Sequence, residues 1–436
     1  MNKITLGAIG IGRMGRSDLR EFLGFDDIQV IAASDLDDWR LGNAKKQVED
    51  HYSAMRQGTF QGCDTYTDYR ELLNRDDIDA VMICTPDHWH TMPAVAAAKA
   101  GKDIFLQKPS TLTIREGRIM SDTVRKHHRV FQIGSQQRSD RNFRFGCELV
   151  RNGYIGKLKR IEIGFGTDPC LDEPAPPMPI PEELHYDRWL GQAPWNPYTE
   201  KRVHPQKAYS RPGWLRVHDY GAGMITGWGA HHLDTAQWGM GTEYTGPVEI
   251  EGKGEFCKSG LWDVHTKFHV KYTYANGVEV NVAGNETYSQ GVRFIGTDGW
   301  VYVKRWTIDA NPKSLLTTEI GPDEVHLYDT TSGGAMAQSQ GGGGKQDKSL
   351  GDINLSATAT HKRNFIDCIK SRAETIAPVE VAHRSGSVCL LGDIAMHLDQ
   401  KTLKWNPDKE QFTNSDEANR MLSRAMRKPW KFLWNL

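Results

Sequence analysis

The sequence predicts an α/β fold: an N-terminal doubly wound parallel sheet, followed by an α+β domain on a large, mostly antiparallel open sheet. Three observations carry this. Short apolar runs alternate with helical patterns through the first third of the chain. Beyond about residue 135 the strands lengthen, alternate in polarity and are joined by hairpin turns. The whole is 436 residues long, too long for one ordinary domain.

In the first third, Ile4–Ile9, Ile28–Ala33, Ala80–Cys84, Asp103–Leu106 and Arg129–Ile133 read as buried strands, with helical stretches at Pro93–Ala100 and Ile114–Lys126. Strand, helix, strand in repetition implies a parallel sheet with right-handed crossovers. The expected domains are residues 1–135 and 136–436. In the second, Leu158–Phe165, Thr266–Tyr274, Gly277–Ala283, Gly291–Ile295 and Trp300–Val303 read as strands, and Asn276-Gly277 as a hairpin turn. Residues 168–214, rich in Pro and Trp and without clear periodicity, are long enough for a functional loop. Residues 332–349, rich in Gly and Ser, read as a mobile surface loop without chemistry. Helices return at Ala357–Lys370 and Ser385–Leu398.

Hydrophobic residues make up 38% of the chain, charged residues 25%, and the formal net charge is -1. That is a globular composition without the basic surplus that draws a protein to nucleic acid or anionic membrane. No run of roughly 18 apolar residues is present, so no membrane partner is expected. The chain enters a strand directly after its first residues, without an export pattern, which favours the cytoplasm, although a removed signal would leave the same picture. The seven cysteines show neither zinc-ribbon nor redox-pair spacing; free thiols, several buried, and no metal are the expectation.

Gly10-Ile11-Gly12-Arg13-Met14-Gly15 follows the first strand and opens a helix, with an acid twenty residues on at Asp35. This is the dinucleotide-binding pattern of a Rossmann domain. Gly10 permits the tight turn, Gly12 lets backbone approach a pyrophosphate at the helix N-terminus, and Gly15 allows close helix–strand packing. A carboxylate at the end of the second strand accepts hydrogen bonds from ribose hydroxyls and repels a 2′-phosphate, so NAD is favoured over NADP. Arg40 is placed to soften that preference by meeting a phosphate.

Thr85-Pro86-Asp87-His88-Trp89-His90 and Gln107-Lys108-Pro109 each follow a strand, at the carboxyl edge where such folds bind ligands. Later come Tyr186-Asp187-Arg188-Trp189-Leu190-Gly191, Asp219-Tyr220-Gly221-Ala222-Gly223, Gly227-Trp228-Gly229-Ala230-His231-His232-Leu233-Asp234 and Phe294-Ile295-Gly296-Thr297-Asp298-Gly299. With these motifs the chain resembles, over nearly its whole length, the Gfo/Idh/MocA family of NAD(P)-dependent sugar oxidoreductases. That resemblance implies that Lys108 hydrogen-bonds the reacting oxygen beside the nicotinamide and that His231 shuttles the proton. Chemically, a carbon losing hydride requires its hydroxyl to lose a proton; a neutral imidazole can accept it, and an ammonium stabilises the oxyanion. Two departures from the family pattern stand out. Gln107 replaces the usual Glu before Lys108, and Gly227 replaces an acid usual four residues before the histidine. Asp219, foremost, and His218, His232 or Asp234 are the substitutes available in sequence.

The cofactor is thus expected against Gly10, Gly12, Arg13, Met14, Gly15, Asp35, Arg40, Thr85, Pro86, His88, His90, Lys108 and Gln136. The substrate is expected against Lys108, Arg138, Tyr220, Trp228, His231 and His232. His383 and Arg384 open a late helix that can reach the same site. Tyr186, Trp189, Trp195, Tyr198 and Trp214 either stack on sugar rings or plug the long loop onto the core. The expected activity is an NAD-dependent sugar, glycoside or polyol dehydrogenase. The alternatives are a redox-neutral NAD-dependent glycosidase, acting by transient oxidation and elimination, and a catalytically dead NAD-binding sensor. The resemblance also suggests a homodimer or homotetramer through the exposed face of the second sheet.

Overall fold

The computed structural model describes residues 3–171, 173–327, 357–398 and 402–430. The glycine- and serine-rich stretch 332–349 lies outside the described residues. The first domain has six parallel strands: β1 (Ile4–Ile9), β2 (Ile28–Ser34), β3 (Asp64–Tyr66), β4 (Ala80–Ile83), β5 (Asp103–Leu106) and β6 (Phe131–Ile133). Their order is β3-β2-β1-β4-β5-β6, the Rossmann order, with the direction of winding reversing between β1 and β4. Helices cover both faces, which is why the inner strands read as mostly apolar runs without a polar face. Edge strand β3, Asp-Thr-Tyr with two exposed residues, carries no such run and no sequence signal.

The second domain holds nine strands in the order β13-β12-β11-β7-β10-β9-β8-β14-β15. They are β7 (Arg160–Phe165), β8 (Glu249–Phe256), β9 (His265–Thr273), β10 (Glu279–Gly284), β11 (Gly291–Ile295), β12 (Trp300–Lys304), β13 (Thr307–Asn311), β14 (Leu403–Asn406) and β15 (Gln411–Phe412). All neighbours run antiparallel except β7 and β10. Alternation sorts the faces: along β9, Phe268, Val270 and Tyr272 point to the core, while Lys267, His269 and Lys271 point away. Helices Arg141–Arg151, Gly229–Met240 and Val379–Leu398 pack on the inner face.

Helix Val379–Leu398 starts six residues before its expected N-terminus and is buried on almost every side. It lies between β8 and helix Ile114–Lys126, so no polar stripe marks its beginning. Helix Ala357–Ser371 returns to the first domain. Its Phe365, Ile366 and Ile369 join the core of Leu6, Leu19 and Phe22, and Lys362, wholly buried, pairs with Asp18 at 2.8 Å and Glu21 at 2.7 Å.

The expectation of free thiols fails at one pair. Cys170 and Cys257 form a disulfide across 87 residues. Only the tertiary fold, which brings the end of β8 beside the start of the 168–214 segment, reveals it. Cys63, Cys84, Cys147, Cys368 and Cys389 are buried free thiols.

Candidate active site

A cavity of about 520 Å³ runs from the glycine turn along the carboxyl ends of β1, β2, β4 and β5 to the second domain. Each glycine of the turn has its own reason. Gly10 takes φ +82°, and a Cβ there would stand 2.7 Å from the Thr85 nitrogen. A Cβ on Gly15 would stand 2.0 Å from the Gly10 oxygen. At Gly12 a Cβ would meet nothing within 4 Å; the position is open to the cavity at the N-terminus of helix Arg13–Leu23. That is the cradle a pyrophosphate needs. Arg13, Met14, Thr85 and Pro86 line the same cavity. The Asp35 carboxylate is held at the end of β2 by the amides of Ile11 (2.5 Å) and Asp37 (3.0 Å), where ribose hydroxyls would reach it.

The 168–214 segment closes over this end as a strap. The Asp38 amide donates to Glu183 O, and the His185 amide to Leu36 O, both at 2.9 Å. His204 contacts Asp37 at 3.0 Å, and Tyr209 packs on Trp39 and beneath Arg16. The two ends of the strap region are clamped by Asp168, which accepts from Arg216 at 3.1 Å and Arg211 at 3.4 Å. Arg40 belongs to this fastening. It is buried, pairs with Asp37 and donates to the carbonyls of Pro205 (3.0 Å) and Ala208 (2.8 Å), so its guanidinium is already engaged where a 2′-phosphate would need it.

At the other end of the cavity, Lys108 extends from the loop after β5, and its ammonium donates to Gly227 O at 3.2 Å. Gly227 and Trp228 form the facing wall. His231, one helical turn beyond Gly227, is 3% exposed, with Nε2 3.4 Å from Arg305. Burial, then the charges of Lys108 and Arg305, push its pKa well below the ordinary histidine value, so the ring is neutral. Arg305, from the turn between β12 and β13, also stands 4.7 Å over the Trp228 ring. The Gln136 amide is satisfied when its nitrogen donates to Gly134 O (2.7 Å) and its oxygen accepts from Arg305 (3.1 Å). Asp87 lines the cavity as well, and a Cβ on Gly221 would stand 3.3 Å from its Oδ2. Burial pushes the Asp87 carboxyl up to about 7 against the opposing pull of the Lys108 charge, and burial lowers the Lys108 pKa in turn.

Residues 4–135 match the sequence family described as an oxidoreductase family with an NAD-binding Rossmann fold. Residues 171–324 and 350–432 match the C-terminal alpha/beta domain of the same family. The chain belongs to the Gfo/Idh/MocA oxidoreductase family. It is 26% identical over 307 residues, 72% of the relative's length, to the uncharacterised oxidoreductase YrbE of Bacillus subtilis, an alignment covering 68% of this chain. It is 30% identical over 174 residues to myo-inositol 2-dehydrogenase of Thermotoga maritima, covering 40% of this chain and 47% of the relative. A glycosyl hydrolase family 109 protein of a Shewanella species is 28% identical over 165 residues, 38% of this chain and 35% of that protein. Among solved structures, an aldose–aldose oxidoreductase from Caulobacter crescentus superposes with TM-score 0.62 at 16% identity, over 92% of this chain and all of the other; this shows the shared fold. The chain is accordingly an NAD-binding oxidoreductase.

Against the Gfo/Idh/MocA pattern, Gln107 has a structural reason. Its Nε2 donates to the buried Asp18 at 2.8 Å, and its Oε1 accepts from the Lys108 amide at 3.0 Å. A Glu there would oppose Asp18. At position 227 the missing acid leaves room, since a Cβ would meet nothing within 4 Å. None of the substitutes expected from sequence lines the cofactor cavity. Asp219 and His218 line a second cavity, His232 stacks between Trp228 and Phe165, and Asp234 is bound to Arg138 and Ser385. Asp87, in a motif read for its histidine, is an acid that does line the cavity and feels the charge of Lys108.

Several expected contacts lie elsewhere. Arg138 is 2% exposed and paired with Asp234 and Glu243, both at 2.7 Å, so it braces the domain junction instead of facing substrate. Tyr220 is buried against His88 and Trp189. The His88 ring contacts Trp189 O at 2.9 Å, and the His90 ring bridges the carbonyls of Thr85 (2.9 Å) and Pro109 (2.6 Å). Both histidines are struts behind the loops that line the cavity; burial first, then neighbouring positive charge, drives their pKa values down, to about 3 for His88 and about 4 for His90. His383 contacts Glu410 at 2.6 Å, and Arg384 donates to Glu380 at 2.8 Å, away from the cavity.

Proposed function

We propose that this chain oxidises a hydroxyl of a sugar, glycoside or polyol, with NAD as the hydride acceptor and Lys108 beside the reacting oxygen. The observation that carries the reading is the placement of Lys108, where the cofactor cavity meets the wall formed by Gly227 and Trp228. NAD bound along the glycine turn supplies a two-electron acceptor at that junction. The protein does the rest. The Lys108 ammonium stabilises the alkoxide that forms as the C–H bond breaks. The hydroxyl proton passes to the neutral His231 ring, buried just behind Gly227 and Trp228. Asp87 takes the part that an acid at position 227 plays in relatives, as charge partner of Lys108. Trp89, Trp189, Trp214 and Trp228 wall the cavity, giving aromatic faces to a sugar ring. Incubation with a panel of sugars, glycosides and polyols should raise NADH absorbance with at least one. Lys108→Ala and His231→Ala should each slow the reaction by roughly 10²–10⁴-fold. Wild-type turnover in the Lys108 variant would overturn the assignment.

A second reading has an observation of its own. The open position at Gly227 and the likeness to glycosyl hydrolase family 109 proteins favour a redox-neutral glycosidase. There the hydroxyl is oxidised, the acidified neighbouring carbon loses its proton, the glycosidic oxygen departs, and the electrons return to the sugar after water adds. Aglycone release without net NADH identifies this course. Homo-oligomer formation through the open face of the nine-stranded sheet belongs to the same proposal; Arg293, Trp300 and Tyr302 stand on that face in a stacked cluster.

A further inference from the structure

Outside the cofactor cavity, His218, Asp393 and His397 converge on one point. One ligand-type atom from each lies within 4.8 Å of the other two. Asp393 and His397 are one turn apart on helix Val379–Leu398 and so share a face. His218 comes from the segment that leads into Tyr220-Gly221. A second cavity of about 290 Å³ adjoins them, lined by His218, Asp219, Asp393 and Arg424 among others.

The hydrogen bonding here does not close. His218 Nε2 lies 3.0 Å from Asp393 Oδ2 and 2.9 Å from the Arg424 guanidinium. One ring nitrogen carries either a proton or a lone pair. With a proton it satisfies Asp393 and meets the Arg424 N–H head on; with a lone pair it satisfies Arg424 and faces a carboxylate. His397 Nε2, buried and 3.7 Å from Asp393 Oδ1, has no hydrogen-bond partner among the described residues. Neither ring nitrogen of the wholly buried His265 has one either, and His265 feels the charge of Asp393 and both histidines. Asp263 accepts the His218 backbone N–H at 2.7 Å and fixes that segment from behind.

We propose that His218, Asp393 and His397 bind a divalent cation of the zinc type. Two imidazole nitrogens and a carboxylate oxygen suit such an ion, and three protein ligands beside an open cavity leave a coordination position for water. Both imidazole lone pairs then point at the metal, and the conflict at His218 disappears. Ligand atoms about 2 Å from one centre stand roughly 3–4 Å apart, so a closure of about an ångström completes the set. Arg424, bonded to the ring and the carbonyl of His218, is the competing cation in the metal-free form and withdraws when metal enters. The ion would pin the segment carrying His218 to the buried helix. It requires no part in the redox chemistry.

The full chain, stripped with chelator and dialysed, is titrated with Zn²⁺ by calorimetry, and metal is counted by mass spectrometry after gel filtration. One Zn²⁺ per chain is expected, with a rise in melting temperature. Asp393→Asn and His397→Ala should each weaken binding by roughly 100-fold. Arg424→Gln, which keeps all three ligands, should tighten it. A chain that takes up no Zn²⁺ at micromolar concentrations overturns the proposal, as does equal affinity in the His397 variant, which would place the metal elsewhere. If Asp393→Asn fails to fold, His397→Ala and Arg424→Gln still decide between these outcomes by moving affinity in opposite directions.

Discussion

Lys108 and Asp87 share a corner of the cofactor cavity in which neither charge is comfortable alone. Burial raises the carboxyl from 3.8 to about 7 and lowers the ammonium, so the two titrate as a pair. The ionised carboxylate is the form that keeps Lys108 charged. The rate should therefore rise with pH through an apparent value near 7, and Asp87→Asn should flatten that limb. A limb that persists in the variant would assign it to another group. The stability consequence has the opposite direction. A folded-state value above the unfolded one gives a contribution present at low pH and lost as pH rises toward 7, so the Asn variant should gain stability most at alkaline pH. Gln107 shows the same physics one residue from Lys108. Its amide serves Asp18, which also binds Lys362 and accepts from Cys84. Gln107→Glu removes a donor and adds a like charge, and chemical denaturation should show a loss of roughly 1–3 kcal/mol. Unchanged stability would mean that Asp18 is content without the amide.

At the scale of elements, the two domains are joined by an ion network as well as by chain. Arg118, on helix Ile114–Lys126, pairs with Glu380 at 2.8 Å and Glu410 at 2.7 Å; Glu410 also takes a hydrogen bond from His383. Burial opposes the charge on Glu410, but the bonds from His383 and Arg118 outweigh it and hold the carboxyl near 2. A lowered value gives stability that is present above the usual 4.5 and lost as pH falls toward 2. Glu410→Gln should cost roughly 3 kcal/mol at neutral pH and flatten the acid limb of the stability curve. An unaltered acid limb would make the network a bystander. None of this was legible in the sequence, because partners such as Arg118 and Glu410 are 292 residues apart. What was legible is what local pattern dictates. Five of the six parallel strands are short, mostly apolar runs, and the glycine turn has steric requirements of its own. Beyond that, residues reachable from a motif were named, but which way each side chain turns was decided by packing. His88 and His90 face inward as struts, while Asp87 beside them lines the cavity. Arg305, on a hairpin with no motif, carried no signal at all.

For the molecule as a whole, the Cys170–Cys257 bond bears on both stability and cellular address. It ties the start of the strap to the end of β8 and closes a loop spanning 87 positions. Chain-entropy reasoning puts the stabilisation at roughly 4 kcal/mol. Replacing both cysteines by serine should lower the melting temperature, with NAD binding retained. Disulfides persist in oxidising compartments, in tension with the cytoplasmic address read from the N-terminus. Denatured chains taken directly from cells, without reductant, should titrate five thiols of the seven cysteines. Seven reactive thiols would show that the bond does not form where the protein works. No helix among the described residues is long and apolar enough to cross a membrane.

The strap over the glycine turn should also govern how long a dinucleotide stays. Its fastenings, Arg40 on two carbonyls, His204 on Asp37 and Tyr209 on Trp39, all lie at the adenosine end, opposite Lys108. A nucleotide threaded beneath them departs only after several bonds have opened together. For an enzyme that exchanges NADH for NAD⁺ every cycle, that opening is a step of every turnover, and it competes with chemistry to set the pace. For one that hands the electrons back to its own substrate, the strap never has to lift, and the nucleotide is a permanent resident. The dissociation rate of NADH, compared with turnover, therefore separates the two modes of catalysis without any knowledge of the sugar.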